Sequence, residues 1–249
     1  MEFDKLIDDA EQTDFEGWDF SVFGERFHDS SPSWDYTDVV ARHLNTADSL
    51  LDMGTGGGEF LADLPGIPAK TVATEGWEPN VAVARHRLEP LGIEVVQTYD
   101  DDNAELPFPD EAFSLVINRH EAYTPAELRR VLRPGGVFVT QQVGGTDLAE
   151  LNEAFGEDGQ TFDWDLSIAV AGLESAAFEI VDAREERQLG HFTDIGAVAL
   201  YLRVIPWQIP GFTVENRREQ LRALHERIRD KGPFEVNSHR FLIVARVPD

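Results

Sequence analysis

The sequence predicts an α/β protein with a mainly parallel sheet covered by helices, and three observations carry that reading. From residue 48 to 143, strand-like apolar runs alternate with helical segments, the pattern of βα units in series. The first run leads straight into "GTGGGEF", with four glycines in the five positions from Gly54 to Gly58. Strand, glycine loop and helix form an arrangement in which backbone N–H groups face a ligand. The second run ends on an acid, Glu75, seventeen residues after Gly58, where a carboxylate can accept hydrogen bonds from ribose hydroxyls.

Taken in order, the chain starts with the acidic "MEFDKLIDDAEQ", which has no apolar core of a signal segment. The stretch that follows, to Leu44, is rich in aromatics and acids; its second half, Trp34 to Leu44, predicts a helix and its first half a lid. Strands are expected at "DSLLDM", "TVATEG", "EVVQTY", "FSLVINR" and "GVFVTQQV". Between them fall the helical "GEFLADLP" and "NVAVARHRLEPLG", then "PAELRRVLRPGG", which opens on proline and closes on Pro-Gly-Gly. Beyond residue 145 the expected order is a helix at "DLSIAVAGLESAA", a strand at "FEIVDAREERQL", a helix at "DIGAVALYLRVIPW", a cover helix from about Val214 to Asp230, and a last strand "RFLIVARV".

Length and composition favour one domain: residues 1–45 as a cover or lid, 46–145 as a cofactor-binding half and 146–249 as a half carrying substrate-side elements. The longest apolar run, "GAVALYL", is too short to cross a bilayer, so a cytoplasmic protein without membrane contact is expected. Cysteine is absent, which removes disulfides, thiolate catalysis and cysteine-based metal sites. The seven histidines are scattered without ligand spacing, and no metal is expected. The formal charge of -26, from 47 acids against 21 bases, repels nucleic acid over most of the surface. The arginines at 129, 130 and 133 and from 217 to 229 alternate with acids, as on solvated helix faces. So large an acidic excess with three lysines would also suit a high-salt cytoplasm.

The loop departs from the dinucleotide fingerprint G-x-G-x-x-G, because Glu59 occupies the place of the third glycine. What it carries is acid-x-G-x-G-x-G, built from Asp52, Gly54, Gly56 and Gly58 around Thr55. A carboxylate at the mouth of the loop opposes phosphate and suits a cofactor with a cationic head.

On these residues the sequence resembles the class I S-adenosylmethionine-dependent methyltransferases over roughly residues 34 to 145. "LLDMGTGGGEF" is similar to the family's first motif, and "ATEGW" to the strand end whose acid, here Glu75, holds the cofactor ribose, with Gly76 and Trp77 beside it. "DDNAELPFPDEAFSLVINRH" resembles the loop and fourth strand, with Asp102 where the family faces the adenine amino group, Asn103 next to it and Asn118 at the strand end. The resemblance implies S-adenosylmethionine as cofactor. It also implies a Rossmann-like, doubly wound sheet of seven strands, the last antiparallel, with helices on both faces and the N-terminal cover outside them.

In open α/β sheets the ligand sits beyond the carboxyl ends of the strands. His120, Glu121 and Tyr123 follow the fourth strand there, which makes His120 and Glu121 the catalytic candidates. Trp18, Phe20, Trp34, Tyr36, His191, Phe192 and Trp207 are candidates for an apolar acceptor pocket. The leading expectation is methyl transfer to a small molecule. RNA methylation, non-catalytic cofactor binding and, last, a nicotinamide-dependent oxidoreductase remain alternatives.

Overall fold

The computed structural model describes residues 2–15, 20–98, 105–157 and 163–249. In chain order the elements are α1 (Glu2–Gln12), a 3-10 segment (Phe20–Arg26), β1 (Phe27–His28), α2 (Tyr36–Leu44), β2 (Ser49–Met53), α3 (Glu59–Asp63), β3 (Lys70–Glu75), α4 (Glu78–Leu88), β4 (Glu94–Gln97) and β5 (Phe113–Arg119). They continue with α5 (Pro125–Val131), β6 (Leu132–Val143), α6 (Ala149–Ala154), α7 (Leu166–Ser175), β7 (Glu179–Phe192), α8 (Ile195–Val204), α9 (Arg218–Lys231) and β8 (Phe234–Arg246). The strand order is β1-β7-β8-β6-β5-β2-β3-β4. β4, β3, β2, β5 and β6 run parallel to their neighbours, and β8 is antiparallel to β6.

The sheet therefore has eight strands where the sequence led to seven. The extra one, β1, is a two-residue strand paired antiparallel with β7 through Phe27 and His28, too short to leave any alternation in the sequence. The last cover helix also begins one turn later than the expected start near Val214, at Arg218. Thr213 and Asn216 exchange hydrogen bonds at 3.0 and 3.1 Å, and Asn216 Nδ2 donates to the Gly211 carbonyl, so a side-chain-closed turn precedes α9.

Two compact units divide the chain. The larger comprises residues 33–144, 163–186 and 240–249. Its central strands are apolar on both faces, as a sheet covered by helices on either side requires. Leu50, Leu115, Ile117, Val139, Leu242 and Val244 pack with Val40 and Leu44 of α2, Leu61 of α3 and Leu88 of α4. Their immediate neighbours Leu51, Val116, Phe138, Ile243 and Ala245 pack with Leu128 of α5 and Leu173 of α7. The period-two alternation between these two sets sends successive side chains to opposite helical layers.

The smaller unit comprises residues 1–32, 145–162 and 187–239. Phe3, Ile7 and Ala10 of α1 recur at helical spacing and are buried with Phe23, Phe192 and the almost fully buried α8. Asp194 caps α8 by accepting from Ala197 N–H and pairs with Arg26 at 2.7 Å. Phe23 and Phe27 therefore pack into core here, Phe27 stacking on Phe192 with centroids 4.3 Å apart, while the exposed Phe20 stacks on Phe23.

Candidate functional site

The site is built at the carboxyl ends of the parallel strands of the larger unit. β2 ends at Met53 and the chain turns into the glycine loop, where Thr55 N–H donates to Thr74 O at 2.9 Å and ties the loop to the end of β3. Gly54 has φ +67°, and an added Cβ would stand 2.5 Å from Glu121 Cγ. Only glycine fits at that position, both for its dihedral and for the Glu121 side chain that rests on it. Gly58, at φ +80°, opens α3 against Leu88 of α4, and it too has no room for a Cβ. Arg87 of α4 reaches back to the Gly57 carbonyl and to Glu59.

Two acids stand on either side of this loop. Glu75, 5% exposed, accepts from Gly56 N–H at 2.7 Å and from Trp77 N–H at 2.8 Å, one on each carboxylate oxygen. The carboxylate is thus aimed by backbone N–H groups. Asp52 is equally buried. Burial pushes its carboxyl up to about 7; the Thr55 hydroxyl opposes that shift and the Glu75 charge adds to it. Two buried acids with one carboxyl raised constitute a site that gains by receiving positive charge. Gly76 continues from Glu75, and Trp77, 56% exposed, stands at the N-cap of α4.

Across the sheet, β5 and β6 carry a network of side-chain amides. The Asn118 side chain is fully buried, and its Oδ1 accepts from Gln142 Nε2 at 2.7 Å and from the Thr140 hydroxyl at 3.2 Å. Gln142 Nε2 also donates to the Glu121 carbonyl, which can only accept and so determines which way both amides face. Among the described residues Asn118 Nδ2 has no partner, a buried donor whose isolation opposes folding unless a ligand or water meets it. The Tyr36 hydroxyl sits against the Asn118 backbone, donating to its carbonyl at 3.0 Å and accepting from its N–H at 3.2 Å. Burial holds this phenol protonated.

His120 follows β5 with φ +65°, a left-handed conformation rare for a residue with a Cβ. Its N–H donates to Gln141 O at 2.8 Å, and its Nε2 lies 3.1 Å from Gln141 Nε2. The residue as a whole is exposed, yet protein packed around the ring lowers its pKa by desolvation, and Arg240 and Arg119 push it further down. Arg119 lies over the rings of Tyr36 and Phe60 at 5.9 and 5.8 Å.

The structure thus brings Asp52, Gly54, Thr55, Gly56, Gly58, Glu75, Gly76, Trp77, Asn118, His120 and Glu121 to the strand-end edge of one unit. Glu121 belongs with the glycine loop, because its side chain presses on Gly54. Asp102, Asn103 and Trp18 fall outside the described residues. Trp34 and Tyr36 are buried in this unit, while Phe20, His191, Phe192 and Trp207 belong to the smaller one, with Trp207 55% exposed. Tyr123 packs edge-on to Phe138 and Trp164, and its hydroxyl has no partner among the described residues. The residues not anticipated are Gln141 and Gln142, whose signal was present as a polar pair closing an otherwise apolar strand.

A mainly parallel sheet with a glycine loop after one strand and a buried acid ending the next defines a Rossmann-like fold. Residues 51–140 match the family described as a methyltransferase domain. The fold is that of the class I S-adenosylmethionine-dependent methyltransferases. The chain is similar to a methyltransferase candidate of Bacillus halodurans C-125, with 23% identity, 86% of this chain and 99% of that one covered, and a TM-score of 0.61. It is also similar to the methyltransferase component of a complex with the Trm112 methyltransferase activator of Haloferax volcanii, with 21% identity, 100% and 98% covered and a TM-score of 0.51. A geranyl diphosphate methyltransferase solved with S-adenosylmethionine matches at 15% identity, 84% and 83% covered and a TM-score of 0.51. No curated protein matches the sequence. No helix among the described residues is long and apolar enough to cross a membrane.

Proposed function

We propose that the protein transfers a methyl group from S-adenosylmethionine to a small-molecule acceptor. The observation that carries this reading is the convergence of a glycine cradle with no room for Cβ atoms, two buried acids and an unpartnered buried amide on one strand-end edge. Such a donor set suits a ligand bearing both a cation and ribose hydroxyls. In this reading Gly54, Thr55, Gly56 and Gly58 let the main chain approach the cofactor. Asp52 and Glu121 offer negative charge to its ammonium and sulfonium groups, Glu75 accepts from the ribose, Gly76 and Trp77 flank the base, and Asn118 Nδ2 donates to the ligand.

When bound, the cofactor supplies a methyl group already activated on sulfonium sulfur. What remains for the protein is to align the acceptor in a dry pocket. The charge of -26 opposes a phosphate polymer as acceptor and supports a small molecule over RNA; retention on immobilised RNA at low salt would reverse that preference.

Thermal unfolding tests the cofactor. A ligand at about 100 times its dissociation constant should add roughly 2.7 kcal/mol, and stabilisation is expected with S-adenosylmethionine and S-adenosylhomocysteine but not with NAD. No response to either sulfur ligand would overturn the proposal. A second reading is supported by likeness over the full chain to a protein solved with an activator: turnover would then need a small partner protein. Cofactor binding by the isolated chain without turnover on any acceptor, restored by adding such a partner, would favour it.

A further inference from the structure

The ring of His120 is held by a chain of hydrogen bonds whose direction can be read from the chemistry of its first link. Trp34 Nε1–H donates to Gln141 Oε1 at 2.8 Å. An indole nitrogen donates and never accepts, so the oxygen of the Gln141 amide must face Trp34. The amide nitrogen is then committed to the other side, where it lies 3.1 Å from His120 Nε2. An NH2 group donates and never accepts, so Nε2 must be the acceptor of that bond, with its lone pair occupied and no proton on it.

The backbone leaves the ring little freedom to escape this arrangement. His120 N–H is bonded to the carbonyl of the same Gln141, and Arg119 and Gln141 are paired in register across β5 and β6. Trp34 is 5% exposed and belongs to the apolar layer beneath α2, so the first link is anchored in core. The only hydrogen bond of the ring among the described residues is the one at Nε2, and His120 is an exposed residue. The charged groups that act on the ring are Arg119 at the end of its own strand and Arg240 of β8, both cations.

We propose that Trp34 and Gln141 lock His120 as the neutral Nδ1–H tautomer, making it a hydrogen-bond donor to the methyl acceptor and disqualifying it as a general base. Trp34 and Gln141 are accordingly positioning residues. The inference rests on the methyl-transfer reading only for what the donor meets. Next to two arginines, a neutral N–H suits an acceptor that presents an oxyanion, such as a carboxylate or phenolate, whose nucleophilic lone pair needs no proton removed.

The test is two-bond 15N–1H correlation spectroscopy on the full chain with 15N-labelled histidine, the His120 signal being assigned by its loss in His120→Gln. A protonated Nδ1 and bare Nε2 are expected from pH 8 down to pH 6 in the ligand-free protein. Gln141→Glu replaces the amide donor by a carboxylate acceptor and should convert the ring to the imidazolium within that range. Gln141→Leu should release it to a tautomer mixture.

A wild-type ring protonated on Nε2, an imidazolium at pH 7, or a spectrum unchanged in both Gln141 variants would overturn the inference. Trp34→Phe removes only the first link, and loss of the Nδ1–H preference in that variant while its far-ultraviolet circular dichroism is retained would support the relay. All these readouts are independent of cofactor. If the expected tautomer is found but S-adenosylmethionine does not stabilise the chain, the methyl-transfer reading fails while the account of His120 stands.

Discussion

The glycine loop at the ends of β2 and β3 and the amide network at the ends of β5 and β6 both face the strand-end edge, but they are made of opposite materials. The loop side is bare backbone and carboxylate: Gly54, Gly56 and Gly58 expose the main chain, Glu75 is aimed by two N–H groups, and Asp52 is buried with its carboxyl raised. The β5–β6 side is mainly side chain: the Trp34 indole, which can only donate, orients Gln141 and through it His120, and the Glu121 carbonyl, which can only accept, orients Gln142 and through it Asn118. A ligand feature common to a whole family can be bound by backbone, whose geometry does not depend on side-chain identity. Side chains are the means of holding something particular.

The largest effect should come from breaking the loop. Gly54→Val combines a left-handed φ with a Cβ 2.5 Å from Glu121 Cγ. It is expected to cost about 2 to 4 kcal/mol of stability and to remove the thermal response to S-adenosylmethionine altogether; a normal response would show that the loop is not the cradle. Glu75→Ala should weaken cofactor affinity by about 1 to 3 kcal/mol, read by calorimetric titration, because it strands Gly56 and Trp77 N–H as well as losing the ribose acceptor. Unchanged affinity would remove Glu75 from the site.

Asp52 sharpens the comparison through pH. Its folded carboxyl is raised from 3.8 to about 7, so the stability it contributes is present at low pH and is lost as the pH rises from about 4 through 7. Asp52→Asn should therefore stabilise the ligand-free protein by on the order of 2 kcal/mol at pH 8, a gain that shrinks as the pH falls toward 4. Cofactor affinity of the wild type should rise between pH 6 and 8, as the carboxylate facing the cation becomes ionised without cost. Denaturant unfolding at several pH values with and without ligand measures both, and a pH-independent difference between Asp52→Asn and wild type would refute the shift.

The smallest effect is expected on the other side. His120→Ala should lower turnover by roughly ten-fold, the low end of the worth of a hydrogen bond to a charged acceptor, and leave cofactor affinity within about 0.5 kcal/mol of wild type. Equal losses in both would mean that the two sides of the site are not separable in the way their construction implies.

The sequence by itself determined the parts whose information is local. The alternation of apolar runs with helical segments specified a helix-covered, mainly parallel sheet, and acid-x-G-x-G-x-G with Glu75 seventeen residues on specified the cradle, because strand, loop and helix of one βα unit are set by neighbours in the chain. Even there, a helix with a clear Phe3, Ile7, Ala10 stripe was hidden within a run noted for its acidity, and the two-residue β1 left no period to detect. Only the tertiary structure decided how the candidate acceptor side is wired. Trp34 and Gln141 are 107 positions apart, and Asn118 and Gln142 are 24 apart. The orientation of an amide depends on which partner can donate and which can accept, a relation between strands and helices that exists only once the sheet has been assembled.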